Sequence, residues 1–462
     1  MNILWAHQIV TVDPENIKEI LATRFQDFEK GEKFHDMFES FLGTGIFTSD
    51  GETWKFHRSM ARPFFVRERV SDFDYFERHS AKVISIMEHM SARSEACDFQ
   101  DLFQKFTLDT TTEFLFGSCT NTLDAPDNGK GDHNRYADFA RAFDRLQDIV
   151  VTRVRIGSTW PLFELFGDKS KGPMRIINAF IDPILKHAMR DRKNLLREDV
   201  TFLDYLVRTV DDEKTIRDAL CAKLLAGRDT TASLLTFSTY ALALHPEAML
   251  ELRKEVLRTV GQMRAPTPAD IRSMKYLRAF INEVLRLFPS LPVNIRRSVV
   301  SSALPSPLSK MGPLYMQDHV SITYSLFLMQ RRADVWGGDA EMFKPERWLD
   351  IPGQALQTKP QVANPFIFLP FNGGPRMCLG QGFAYQECSY LLIRLLQRFR
   401  AFDFAPDAQP LVSLPPKEWA QIKGRASIER CRIKSSLVLY AEGGMWLRAR
   451  AADGSESACP EQ

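Results

Sequence analysis

The stretch Phe371 to Gly380, FNGGPRMCLG, sets one cysteine among three glycines, a proline and an arginine. Gly373 and Gly374 permit close backbone approach or positive φ, and Pro375 stiffens the turn. Gly380 then opens an amphipathic pattern, so Cys378 stands just before a helix N-terminus. The positive end of a helix dipole favours thiolate there, and backbone N–H groups can donate to sulfur. Two readings follow: a structural thiol buried in a turn, or a thiolate ligand to a metal. A second stretch, Ala226 to Thr231, reads AGRDTT inside the longest helical pattern of the chain. Gly227 alone costs about 1 kcal/mol there relative to alanine, and Asp229, Thr230 and Thr231 are further poor helix formers. Such a weak spot predicts either a local opening beside the chain or a packing kink with capped side chains.

The pattern E-x-x-R occurs three times: EVLR at 255–258, EVLR at 283–286 and ERCR at 429–432. Residues i and i+3 share a helix face, yet most such pairs are solvated and contribute little. In GETWKFHRSMARPFF, Trp54 and Arg58 lie four apart. An indole N–H and a guanidinium so placed can reach one carboxylate. His57 sits between them, with a part in that site and a surface position equally open.

The elements that must carry these residues are mostly helical. PENIKEILATRF starts with Pro14, which suits a first helical turn, and places Ile17, Ile20 and Leu21 on one face. Residues 213–245 form the longest helical pattern, ending at Pro246; SMKYLRAFINEVLRLFP is closed by Pro289; GQGFAYQECSYLLIRLLQRF follows the cysteine loop. Strand signals are short: ILWAHQIVTV, HVSITYSLFL near 319–328 and SSLVLYAE near 435–442. Residues 124–134 read as an exposed loop, 304–313 and 352–365 as proline-rich loops, and the segment from about Ala451 as a disordered tail. No interdomain linker stands out.

A formal charge of +2 provides no strong attraction to nucleic acid or to an anionic membrane. The seven cysteines, at 97, 119, 221, 378, 388, 431 and 459, include no C-x-x-C pair. That spacing excludes zinc-ribbon and thioredoxin readings and favours a reducing compartment. No window holds some eighteen uninterrupted apolar residues, so no membrane span is expected. There is no glycine-rich dinucleotide fingerprint and no room for a flavin domain.

Phe371, Gly374, Arg376, Cys378 and Gly380 match F-x-x-G-x-R-x-C-x-G. On these residues the chain resembles the heme-thiolate loop of the cytochrome P-450 monooxygenases. The resemblance implies a mainly α fold with minor β: one large helical domain over 1–450 enclosing heme b (iron protoporphyrin IX), with 451–462 as a tail. It implies Cys378 as the proximal iron ligand, whose thiolate pushes electron density that favours O–O cleavage, and Arg376 as a partner of a heme propionate. AGRDTT is similar to the family's [AG]-G-x-[DE]-T-[TS] in the helix crossing the distal heme face, with Gly227 as its glycine. By that likeness Thr230 steadies dioxygen during protonation and Asp229 belongs to the proton route. The middle EVLR falls where the family has its buried pair, so Glu283, Arg286 and, in FKPERW, Arg347 form a structural triad. Trp54 and Arg58 match the family's W-x-x-x-R on a propionate, and Arg296 takes a further propionate position with Arg297 as competitor. The motifs follow the family's order from Trp54 to Gly380, with Gln330 where a histidine is common.

The start departs from the family. Eukaryotic members open with an anchor helix and a hinge; this sequence begins inside the first small sheet, so membrane association at the endoplasmic reticulum is expected of the family without an anchor in this chain. AGRDTTA, TSDGETWKFHRSMARPFF and PENIKEILATRFQDF look most like the fungal branch that hydroxylates alkanes and fatty acids. The implied reaction inserts one oxygen atom from O2 into a hydrophobic substrate (a fatty acid, an alkane or a xenobiotic). Electrons would come from a separate NADPH-dependent reductase, with cytochrome b5 as a further candidate donor. Arg376, Lys55 and the arginines of 394–400 are candidates for docking that donor. Phe41 to Ile46, Leu225 and Leu291 to Val293 are either pocket walls or plain core. The alternatives are heme-thiolate chemistry with peroxide or rearrangement and no O2 activation, and a non-catalytic, truncated heme binder.

Overall fold

The computed structural model describes residues 2–3, 6–65, 73–124, 133–191, 201–305, 312–350 and 364–452. Among the described residues thirteen α-helices of five residues or more are α1 Pro14–Lys18, α2 Glu32–Leu42, α3 Gly51–Ala61, α4 Asp74–Ala92, α5 Phe99–Phe116, α6 His133–Ile156, α7 Lys171–Asp191, α8 Phe202–Thr209, α9 Glu213–Leu244, α10 Pro246–Thr259, α11 Pro268–Ser273, α12 Lys275–Leu287 and α13 Gln381–Arg398. Local chemistry sets many of their starts. Asp13, Asp98 and Asp212 accept first-turn N–H groups, and Thr201 and Thr267 form reciprocal capping boxes. Proline opens α1, α10 and α11, where its missing N–H costs nothing.

The strands are β1 Asn2–Ile3, β2 Ala6–Thr11, β3 Phe28–Glu29, β4 Cys97–Asp98, β5 Val293–Ser298, β6 Ser302–Leu304, β7 Leu314–Met316, β8 Ser321–Ser325, β9 Phe399–Phe404, β10 Ile433–Ser435, β11 Leu439–Ala441 and β12 Trp446–Ala451. The largest sheet has the order β1-β2-β8-β5-β3. In it β2 runs parallel to β8, with Ile9 opposite Ile322, while β5 is antiparallel to β8, with Arg296 opposite Ile322. A second sheet has the order β4-β12-β9, and its strand β9 begins directly where α13 ends.

The long helix α9 passes through both halves of the core. Its first half, Ile216 to Leu224, packs with α2, α6, α7 and α8; its second half, Ala232 to Leu242, packs with α4, α5, α12 and α13. The polar stretch Gly227 to Thr231 falls between the two apolar clusters. The site helix is thus anchored by burial on each side of its weakest segment.

Several sequence expectations change here. SSLVLYAE is not one strand but the turn and second strand of the β10–β11 hairpin. HVSITYSLFL stops as a strand at Ser325, whose hydroxyl accepts the Leu328 N–H and starts a helical turn. PENIKEILATRF passes from α1 into a wider π-type turn over Glu19–Thr23. Phe41 and Leu42 belong to the helical core, Phe41 packing against Phe143 at 5.2 Å. Leu225 borders that core, whereas Leu291 and Val293 keep accessible surface. Most of the 124–134 loop, part of each proline-rich loop, Cys459 and nearly all of the tail lie outside the described residues. Among the described residues no helix is long and apolar enough to cross a membrane.

Candidate active site

Cys378 is held by its own loop. Its N–H donates to the Phe371 carbonyl at 2.9 Å, and the Phe371 ring packs on Tyr385 with centroids 5.2 Å apart. Gly374 has φ +66°, and a Cβ there would meet the Leu21 carbonyl oxygen at 1.8 Å, so only glycine passes under the Glu19–Thr23 turn. Gly380, the residue before α13, donates its N–H to the sulfur. Burial pushes the Cys378 thiol up; the Gly380 N–H, Lys223 and Arg58 oppose it. The side chain keeps accessible surface, on the wall of a groove of about 780 Å³ lined also by Trp54, Arg58, Phe65, Met377 and Tyr385. By contrast Cys388 is fully buried in the core.

Arg376 turns inward, to the Ser49 carbonyl at 2.8 Å and the Asp50 carboxylate, with its guanidinium 4.7 Å from the Trp54 ring centre. Its Nε is buried without a partner. Arg58 reaches the Met377 carbonyl at 3.0 Å and lies 5.8 Å from the Trp54 ring. Strand alternation turns Arg296 and Arg297 to opposite faces: Arg296 is 1% exposed, while Arg297 turns to Glu29 at 3.8 Å. Lys30, which the sequence did not single out, joins them. Burial, then Arg296 and Arg376, hold its pKa well below the ordinary lysine value, and its Nζ donates to Asn294 Oδ1 at 2.8 Å. Asp50 precedes α3 but does not cap it; its carboxylate accepts the Lys30 and Gly31 N–H groups and Arg376. Three cations thus lie close together, while the carboxylate among them, Asp50, pairs directly with Arg376. Such an excess is costly unless further anions enter.

On α9 the helix runs unbroken through AGRDTT, so the expected local opening is not a break in the helix. A Cβ on Gly227 would meet Thr111 Oγ1 at 2.7 Å, so the glycine lets α9 lie close against α5. Thr230 Oγ1 donates to the Ala226 carbonyl at 2.6 Å, and Ser290 Oγ donates to the Thr230 carbonyl at 2.8 Å. Asp229 is buried and accepts from Gln147 Nε2 at 2.9 Å, with Arg228 at 3.4 Å. Burial raises its pKa to about 6 against the pull of Arg228. Arg228 also pairs with Asp144 at 2.6 Å. Gln147 and Asp144 sit on α6, and no local sequence signal tied them to this turn.

Glu283 and Arg286 are fully buried and paired at 2.8 Å; Arg347 adds a contact at 3.0 Å, and Trp348 Nε1 donates at 3.0 Å. The other two E-x-x-R patterns serve differently. Glu255 accepts the Tyr276 and Leu277 N–H groups at the start of α12, and Glu429 pairs with Arg425. Gln330 is buried, donates to the Leu285 and Arg286 carbonyls at 3.0 Å, and accepts the Leu369 N–H at 2.9 Å. It ties the end of α12 to the chain entering the cysteine loop. His57 is buried, not at the surface, with Nδ1 unpartnered. Of the electron-donor docking candidates, Arg376 and Arg394 are buried in ion pairs, and Lys55 is exposed beside Glu52.

Among the described residues one other group, His79, Asp109 and Cys119, brings possible metal ligands within 4.8 Å of one another. The Asp109 oxygens there are already taken by Thr120, Thr122 and Leu123. That cluster pins a loop and is separate from Cys378.

A thiol aimed into a cavity, a donor on its sulfur and unmatched buried cations nearby fit a flat metal macrocycle bearing two carboxylates. Fold and site thus define the heme-thiolate class. The family model described as Cytochrome P450 matches residues 2–428. Cytochrome P450 52E1 of Candida apicola is 39% identical over 403 residues, covering 85% of this chain and 75% of that protein. Cytochrome P450 52A5 of Candida maltosa is 36% identical, covering 90% and 78%, and Cytochrome P450 monooxygenase pvhE of Talaromyces variabilis 35%, covering 85% and 74%. The chain belongs to the cytochrome P450 family; it is a heme-dependent monooxygenase.

Proposed function

We propose that the protein hydroxylates an extended hydrophobic substrate, a fatty acid or an alkane, with O2 and two electrons from a separate NADPH-dependent reductase. Residues 1–450 act as one domain in this reading. Cys378 would hold the heme iron, with the Gly380 N–H keeping charge on its sulfur. Arg376, Arg296, Trp54 and Arg58, joined by Lys30, would hold the propionates. When bound, the heme supplies oxygen activation. Asp229, titrating near pH 6 beside Gln147 and Arg228, exchanges protons with solvent, and Thr230 Oγ1 presents a hydroxyl next to it. Glu283, Arg286 and Arg347 have a structural part.

Membrane association has its own support. Leu162, Phe163, Leu165 and Phe166 are all more than half exposed on the short segment between α6 and α7. An apolar cluster of this kind suits a bilayer surface, here that of the endoplasmic reticulum.

The observation that carries the reading is the Cys378 thiol facing the cavity while receiving the Gly380 N–H. The test is the absorption spectrum of the reduced, CO-bound protein. A strongly red-shifted Soret band is expected, lost in Cys378→Ala and kept in Cys388→Ala. A band unaffected by Cys378→Ala would sink the assignment.

A further inference from the structure

Lys223 lies on α9 one turn before Gly227 and two turns before Thr230, on the same helix face. It is 8% exposed. Its Nζ has no hydrogen bond or ion pair among the described residues; the recorded contact is the Phe65 ring, 5.2 Å from the ring centre. Phe65 in turn lines the groove of Cys378. An alkylammonium carries its proton at neutral pH. An unpaired ammonium on so largely buried a side chain is suited to meet an anion that enters the site.

We propose that Lys223 is a specificity-determining residue that pairs with the carboxylate of an acidic substrate inside the cavity. The proposal rests on the monooxygenase reading above and narrows it from apolar chains in general to amphipathic acids. A heme propionate would offer the same chemistry, but Lys30, Arg296 and Arg376 already form a separate cation cluster suited to it. A charge-assisted contact in a dry site favours the acid over its neutral ester by roughly tenfold or more, about 1.4 kcal/mol.

The test uses the heme-loaded protein, first shown to give the red-shifted CO band; a wild type lacking that band would defeat the monooxygenase reading itself. Dodecanoic acid and its methyl ester are then titrated, reading the substrate-induced Soret shift, and heme per protein is measured for each variant. Wild type should bind the acid at least about tenfold tighter than the ester. Lys223→Met should erase that preference by weakening the acid alone, and Lys223→Arg should restore it. Equal binding of acid and ester by wild type, or equal weakening of both in Lys223→Met, overturns the proposal. Loss of heme from Lys223→Met overturns it too, by assigning the amine to the cofactor.

Discussion

Glu283 accepts from two nitrogens of Arg286, from Arg347 Nε, from the Lys344 N–H and from Trp348 Nε1. No water is needed to satisfy this carboxylate, so removing its charge strands two guanidiniums in the interior. Glu283→Gln should cost about 3–5 kcal/mol, the range for breaking a buried pair from one side. Denaturant unfolding would measure it; a loss under about 1 kcal/mol would remove the triad from its structural part. At this scale residue types were legible and partners were not. E-x-x-R marks three candidates in the chain, and only burial beside the P-E-R-W turn separates Glu283 from Glu255 and Glu429. Lys30 and Asp50 carried no pattern at all, because their roles come from distant partners, Asn294 for Lys30 and Arg376 for Asp50.

Helix α13 shows how an element carries a charge-sensitive residue. Glu387, nine residues after Cys378, is fully buried and accepts the Thr110 hydroxyl. Burial pushes its pKa to about 8, against hydroxyls of Thr110 and Thr231. The sign follows from a raised carboxyl: its contribution is complete below the ordinary value of 4.5 and lost as pH climbs through about 8. Stability should therefore fall between those limits, and Glu387→Gln should flatten the fall. Thermal midpoints across that pH range decide it; identical slopes for the two proteins would mean another group carries the dependence. The periodicity of α9, α12 and α13 made these helices legible within a residue or two. The π-type turn at Glu19–Thr23 was not, because what demands it is Gly374 passing beneath.

Over the whole molecule two surface features stand out: the groove at Cys378, where the chemistry is placed, and the exposed apolar segment between α6 and α7. Replacing Leu162, Phe163, Leu165 and Phe166 together by serine should weaken binding to phosphatidylcholine vesicles by at least about tenfold, given roughly 25 cal/mol per Å² of apolar surface. Co-sedimentation measures this, and unchanged binding would deny the segment a membrane role. The heme-thiolate loop, the order of its companion motifs and the helical class were set by sequence alone, since local backbone demands and helix periodicity act over a few residues. Which of Arg296 and Arg297 faces inward, why Gly227 lies against Thr111, and the burial of Lys223 and Glu387 were decided only by tertiary structure. Burial and charge pairing join residues that are distant in the chain, and no local pattern encodes what will lie opposite.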